Sequence, residues 1–384
     1  MSALFSALQI GALELPNRIV VSPMCQYSAR EGQANEWHMQ HLMQLALSGA
    51  GLVMVEATAV EPRGRISHGC LGLYSDATEA ALARVLAAAR AVAAPHARLG
   101  IQLAHAGRKG SADAPWLGDR PLAPQAGAWR CVAPSATPFA EGWPTPQALD
   151  EEGIAGVIEA FGAAARRAAR LGFDVVELHA GHGYLLHQFQ SPLANARTDA
   201  WGGTAAARQR LALAVARRMR EALPAGCVLG ARITGTDWLP GGLDIEDAVS
   251  LAGQLRQAGV DYVCVTSGFV VRGARIPFGP GYLAISSFSN PVRMNHAYNL
   301  LNLHSYQAGL AEQVRRRTGM PVRAVGGIAD PRQAQAIIET GQADQVALAR
   351  AFLADPRWVW RAAETLGAPA YYAPQYRLGA GLRA

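Results

Sequence analysis

Residues 150–184 read DEEGIAGVIEAFGAAARRAARLGFDVVELHAGHGY, and this stretch holds one whole repeating unit of the fold. Asp150–Leu171 carries a helical pattern. Gly172 follows where a helix C-cap glycine belongs. Phe173–His179 is then an apolar run without alternation, as expected for a parallel strand buried on both faces. The run ends in His179-Ala180-Gly181-His182-Gly183-Tyr184, a dense polar cluster at a strand end.

The same order repeats on either side. Strand-like runs occur at Arg18–Pro23, Gly51–Glu56, Arg98–Ala104, Phe173–His179, Val228–Thr234, Asp261–Ser267, Val322–Gly326 and Asp344–Ala349. Helical segments follow them at Asn35–Ser48, Asp76–Ala93, Asp150–Leu171, Ala205–Leu223, Ile245–Ala258, Tyr306–Thr318, Pro331–Thr340 and Asp355–Leu366. Gly49, Gly172, Gly259, Gly319 and Gly341 close helices just before the next run. Eight βα units in order predict an α/β fold, a single (β/α)₈ TIM barrel. An open doubly wound sheet is the other arrangement. It is disfavoured by the count of eight and by the lack of a G-x-G-x-x-G turn after any strand.

A chain of 384 residues fits such a barrel with insertions. Half its residues are hydrophobic and 17% are charged, enough to build a large core. No uncharged stretch reaches the ~18 apolar residues of a membrane span, and the N-terminus does not read as a signal peptide. The five cysteines, Cys25, Cys70, Cys131, Cys227 and Cys264, form no CxxC pair, so free thiols in a reducing, cytoplasmic compartment are expected. The net charge of +6 comes from arginines scattered along helices, with no basic run interleaved with aromatics, so nucleic acid is not expected as a partner. Lys109 is the sole lysine beside 34 arginines, which suggests a position that wants a compact, flexible ammonium rather than a planar fork.

Two connections are long, His105–Leu149 and Gly268–Ser305, and both follow strands. They therefore lie on the C-terminal face, where barrel enzymes keep their chemistry. Polar residues gather at the same face: Ser22 to Tyr27, Glu56 to Thr58, Gln102, His105 to Lys109, His179 to Tyr184 and Arg232. Gly326-Gly327 and Arg350 end the seventh and eighth runs, where barrels often bind phosphate. His179 and His182, with His187 as a third ligand, also admit a metal reading, for which nearby carboxylates and cysteines are few. Two histidines followed by a tyrosine at a strand end are better explained as donors to a substrate oxygen plus a proton donor.

The segments SPMCQYSAREGQANEWH, VEATAVEPRGRIS, IQLAHAGRKG and FDVVELHAGHGYLLHQFQSPLANARTDAWGG resemble the Old Yellow Enzyme family of flavin oxidoreductases, as does the arginine of GARITGTDW. Cys25, Tyr27 and the HxxH pair are similar to its bacterial, thermophilic-like and xenobiotic-reductase subclass. The resemblance covers almost the whole chain and implies one FMN-binding barrel domain over 1–384. It implies FMN held by Pro23, Met24, Cys25, Ala57, Gln102, Arg232, Gly326, Gly327, Ala349 and Arg350, with no metal. Gln102 would meet the pyrimidine edge, Arg232 the N1 and O2 side, and Cys25 the O4 and N5 side. His179 and His182 would bind a carbonyl or nitro oxygen, and Tyr184 would protonate the α-carbon. Tyr27, Lys109 and Phe278 would line the pocket. Arg377, in the tail 367–384, would enter a neighbouring subunit's site, implying a homodimer or a larger assembly of dimers. NADPH or NADH would reduce FMN in the same cavity in an earlier half-reaction of a ping-pong cycle.

Three positions depart from the family's pattern. Ala349 stands where a glycine is usual, and Trp201 where a tyrosine is common. About 284–307 is an extra capping stretch after the sixth strand, which would reshape the pocket or a subunit contact. The expected activity is reduction of activated C=C bonds. The alternatives are an FMN-dependent dehydrogenase or isomerase of a cyclic ketone, a metal-dependent lyase and a non-catalytic flavin-binding protein.

Overall fold

The computed structural model describes residues 2–272, 275–277, 283–285 and 307–379. Eight parallel strands close into a barrel in sequence order. They are β1 (Ile19–Val21), β2 (Leu52–Ala59), β3 (Arg98–Ala104), β4 (Val175–Ala180), β5 (Val228–Thr234), β6 (Tyr262–Thr266), β7 (Val322–Val325) and β8 (Gln345–Leu348). One helix of the outer ring follows each strand: α1 (Glu36–Ala46), α2 (Asp76–Val92), α3 (Glu151–Arg170), α4 (Ala205–Ala222), α5 (Ile245–Gln257), α6 (Ala308–Thr318), α7 (Pro331–Glu339) and α8 (Trp358–Leu366). The eight expected units are thus all present. The eighth differs locally: a short helix, Arg350–Ala354, precedes α8, which begins at Trp358 rather than near Asp355.

Local chemistry sets the helix ends. The side chains of Asn35, Ser75, Asp150, Thr204, Asp244 and Asp330 cap helix N-termini. Gly319 and Gly367, both left-handed, close α6 and α8. The outward faces of the strands, such as Leu99, Ile101, Leu103, Val176 and Leu178, pack on the helices in the main core. The inward faces of Val20, Leu52, Met54, Val175 and Val228 fill the barrel floor. A hairpin of Leu8–Ile10 with Leu13–Leu15 plugs that floor with Ile10, Leu13 and Leu15.

The connection after β3 is built from 3-10 turns and a two-residue parallel pair, Val132–Ala133 with Gln147–Ala148. The connection after β6 contains an antiparallel pair, Arg275–Pro277 with Leu283–Ile285. Phe278 and nearly all of the stretch 284–307 lie outside the described residues. Among the described residues, no helix is long and apolar enough to cross a membrane.

Candidate active site

Register decides which side chains meet at the barrel mouth. On β4 the inward positions are Val175, Glu177 and His179, so His179 is the uppermost. It pairs across the sheet with Arg232 of β5, and Gln102 of β3 pairs with Glu177. A bulge in β2 skips Glu56 and brings Ala57 level with Gln102. Glu56 turns instead to His38 (Nε2 to Oε1, 3.4 Å) and accepts the Gln26 N–H at 3.1 Å, tying down the segment after β1.

The segment after β4 turns back over the barrel. His182 and Gly183 are both left-handed, at φ 55° and 72°. A Cβ on Gly183 would stand 2.0 Å from the Phe269 carbonyl oxygen, so this position requires glycine. The turn is gripped from below. Gly183 donates its N–H to His187 Nδ1 at 2.7 Å, and His187 Nε2 faces Asp237 Oδ1 at 2.9 Å. Ser191 Oγ and the Leu243 N–H donate to Asp237 Oδ2. His187, considered from sequence as a third metal ligand, is thus turned away from His179 and His182 by its carboxylate. The turn is also gripped from above: Lys109 Nζ donates to the His182 carbonyl at 2.8 Å and the Phe269 carbonyl at 3.3 Å, over the faces of Tyr184, Phe139 and Phe269.

The result is a compact cluster of side chains. The His179 ring meets those of His182 and Tyr184 edge-on, each with centroids 5.1 Å apart. His179 Nε2 and His182 Nδ1 face each other at 3.3 Å, and Thr266 Oγ1 lies 2.7 Å from His182 Nε2. Burial, followed by the charge of Arg232, holds both imidazoles well below the ordinary histidine range, so both are neutral at pH 7. Burial holds the Tyr184 phenol well above its ordinary value, so it keeps its proton. Cys25 is likewise pushed up by burial, then by Glu56, and remains a thiol. Cys25 and Tyr27 pack against Ile66, Cys70, Ala106 and Tyr184. Burial lowers Lys109 to about 8.

Arg232 and Gly326-Gly327 offer unused binding capacity nearby. Arg232 is buried, its Nε has no hydrogen-bond partner among the described residues, and its Nη1 reaches Ser22 Oγ only at 3.5 Å. Gly326 and Gly327, at the end of β7, are both left-handed, at φ 102° and 71°. A Cβ on Gly327 would meet nothing within 4 Å among the described residues. Arg350 is exposed at the start of its short helix, directly after Ala349. Pro23 and Met24 follow β1 at the same face.

The structure therefore brings together Cys25, Tyr27, Lys109, His179, His182 and Tyr184, and places Ala57, Gln102 and Arg232 on neighbouring strands. Arg377 is not among them. It stands exposed on Pro374–Gly379, outside the barrel, where Tyr376 packs on Trp360 and under Arg357. Sequence reasoning missed Thr266, Asp237 and Trp116. Thr266 and Asp237 end or closely follow strands, a signal that polar residues at strand ends supply. Trp116 is 68% exposed and edges onto Tyr27, and nothing in its local sequence marks it.

Residues 3–368 match the model of the NADH:flavin oxidoreductase / NADH oxidase family. The chain belongs to this family. An NADPH dehydrogenase of Geobacillus thermodenitrificans is 37% identical over 98% of both chains. An NADPH dehydrogenase of Listeria innocua is 36% identical over 96% of both. Morphinone reductase shares the fold with a TM-score of 0.74 and 29% identity, over 97% of this chain and 92% of that one. A second structure of morphinone reductase, in complex with tetrahydroNAD, superposes with a TM-score of 0.72 at 28% identity, over 99% of this chain and 96% of that one. As a member of this flavin oxidoreductase family the chain is an FMN enzyme that takes its reducing equivalents from NAD(P)H.

Proposed function

We propose that this enzyme reduces activated C=C bonds of α,β-unsaturated carbonyl or nitro compounds, with His179, His182 and Tyr184 as the groups that meet the substrate. The observation that carries this is the convergence of two neutral imidazoles and a protonated phenol on one buried spot. Gly181 donates to His179 Nδ1, which leaves the ring proton on Nε2, facing His182. If Thr266 donates to His182 Nε2, the His182 proton sits on Nδ1, facing His179. Two N–H groups then point into one gap, a slot for a single acceptor oxygen. Hydrogen bonds there draw electrons from the alkene, and Tyr184 protonates the α-carbon.

FMN, when bound, supplies the hydride to the β-carbon after taking it from NAD(P)H in the same cavity. The residues present fit this group. Arg232 has a buried, under-used guanidinium for the N1 and O2 edge, and Gln102 serves the pyrimidine. Gly327 leaves open space for a phosphate, with Gly326, Ala349 and Arg350 beside it. Pro23, Met24, Cys25 and Ala57 line the remaining edge.

Tyr27 and Lys109, with Phe278 outside the described residues, belong to the substrate pocket in this reading. The stretch 284–307, expected from the sequence to cap this pocket or shape a subunit contact, lies almost wholly outside the described residues. Arg377 would complete a partner's pocket in a homodimer or an assembly of dimers, and the free thiols suit a cytoplasmic enzyme. Anaerobic reduction by NADPH followed by reoxidation with cyclohexenone tests the activity. Stoichiometric reoxidation with cyclohexanone as product supports it. Flavin that is reduced by a saturated cyclic ketone and not reoxidised by the enone would favour the dehydrogenase reading instead.

A further inference from the structure

A second polar layer lies inside the barrel, directly below the mouth. Glu177 stands two residues before His179 on β4. Its Oε1 accepts from Gln102 Nε2 at 2.7 Å, and its Oε2 accepts from Tyr262 Oη at 2.7 Å and Arg323 Nη1 at 2.9 Å. The Arg323 guanidinium lies over the Tyr262 ring, 4.2 Å from its centroid, and donates from Nε to Gln345 Oε1 at 3.0 Å. All of these side chains are buried. Room is made for them: a Cβ on Gly230, which pairs with Tyr262, would stand 2.1 Å from the Tyr262 ring.

An ion pair is a poor filler for a barrel, because desolvation can outweigh the attraction. The layer below is aliphatic and shows that the fold can be packed without charge. Gln102 links this network to the mouth. A carboxylate accepting from an arginine and a tyrosine offers no proton, so the Gln102 amide must turn its NH₂ down to Glu177. Its oxygen then faces the other way and seeks a donor. The N3–H of a flavin pyrimidine ring is such a donor.

We propose that Glu177 and Arg323, supported by Tyr262 and Gln345, form a positioning network for the flavin. It fixes the Gln102 amide with its oxygen toward N3–H and sets two opposite buried charges beneath the ring that tune its redox potential. This inference rests on the seating of FMN by Gln102 and Arg232 proposed above. Reduction adds negative charge to the flavin. Removing the Glu177 charge therefore raises the potential, and removing the Arg323 charge lowers it.

The test uses FMN-loaded protein and its variants Glu177→Gln, Arg323→Met and the double variant. Midpoint potentials come from spectroelectrochemistry, FMN dissociation constants from fluorescence, and the N3–H signal from ¹⁵N-labelled FMN. Opposite shifts in the two single variants are expected; no shift, or shifts of one sign, overturn the tuning. A single variant that does not fold leaves the double variant, whose neutral pair of similar volume is tolerated more readily. Its potential should stay near the parent's, while its N3–H signal moves and its FMN dissociation constant rises about tenfold as the amide is released. An unchanged signal and affinity there overturn the network. Arg232→Gln separates the two levels of the argument. If it leaves FMN affinity intact, the seating itself is wrong; if it weakens FMN binding while the network variants change nothing, only the network fails.

Discussion

Glu177 and His179 are two residues apart on β4, both inward and both buried, yet their side chains have opposite fates. Glu177 accepts from three side chains of the protein. His179 has a backbone N–H on Nδ1 at 3.4 Å and a long contact to His182 on Nε2. The lower layer is knit together by side chains of the protein itself. The upper layer is held by fewer and longer contacts, and in the function proposed above its ring N–H groups serve a substrate oxygen. His187 belongs with the lower kind: the Gly183 N–H occupies its Nδ1, and its Nε2 lies 2.9 Å from the Asp237 carboxylate. Residue type alone therefore does not separate these histidines; the groups that face their ring nitrogens do.

Tyr184→Phe strikes the upper layer hardest. Reoxidation of the reduced enzyme by an enone should slow by about 10²- to 10⁴-fold, while flavin reduction by NADPH stays unchanged. Stopped-flow measurement of the two half-reactions checks this, and an equal loss in both would remove Tyr184 from the proton-donor role. His187→Leu strikes the lower kind. It leaves Asp237 charged and buried without its partner, so urea denaturation should show a loss of about 3–5 kcal/mol. A loss below about 1 kcal/mol would mean the pair does not hold the turn.

His179→Ala should weaken phenolic ligands about 10- to 100-fold in a spectral titration, the scale of a hydrogen bond to a charged group. Thr266→Val should weaken them less, by about 2- to 10-fold. Equal effects would contradict the tautomer role given to Thr266. The smallest effect is on pH. Burial, then the charge of His38, lowers His41 to about 4, below its ordinary value. The unfolded chain takes up that proton near pH 6.5 and the folded one only near 4. Stability from this source is therefore full above 6.5 and falls as pH drops toward 4. Melting temperature against pH for the parent and His41→Phe checks this, and parallel curves would refute it.

The eight strands are legible in the sequence because parallel strands buried on both faces are continuous apolar runs. The helix ends are legible from their caps and closing glycines. The mouth residues are legible because they sit at strand ends. The Glu56 bulge is not, since nothing in VEATA marks where alternation slips. The floor hairpin is missed because its strands, LQI and LEL, are three residues each and too short to show a period.

Glu177 itself stands out in VVELHA as a carboxylate within an apolar run, but its meaning does not. Its partners Tyr262 and Arg323 lie 85 and 146 residues away, in runs that differ from their neighbours only by a single polar residue. By itself the sequence determined the order of strands and helices, the closed barrel and the face that carries chemistry, because these follow from local periodicity and from chain order. Only the tertiary structure decided which polar side chains are spent on one another and which stay open. That depends on register around a closed sheet, where side chains far apart in the chain come within hydrogen-bonding distance and residues two apart do not share the same surroundings.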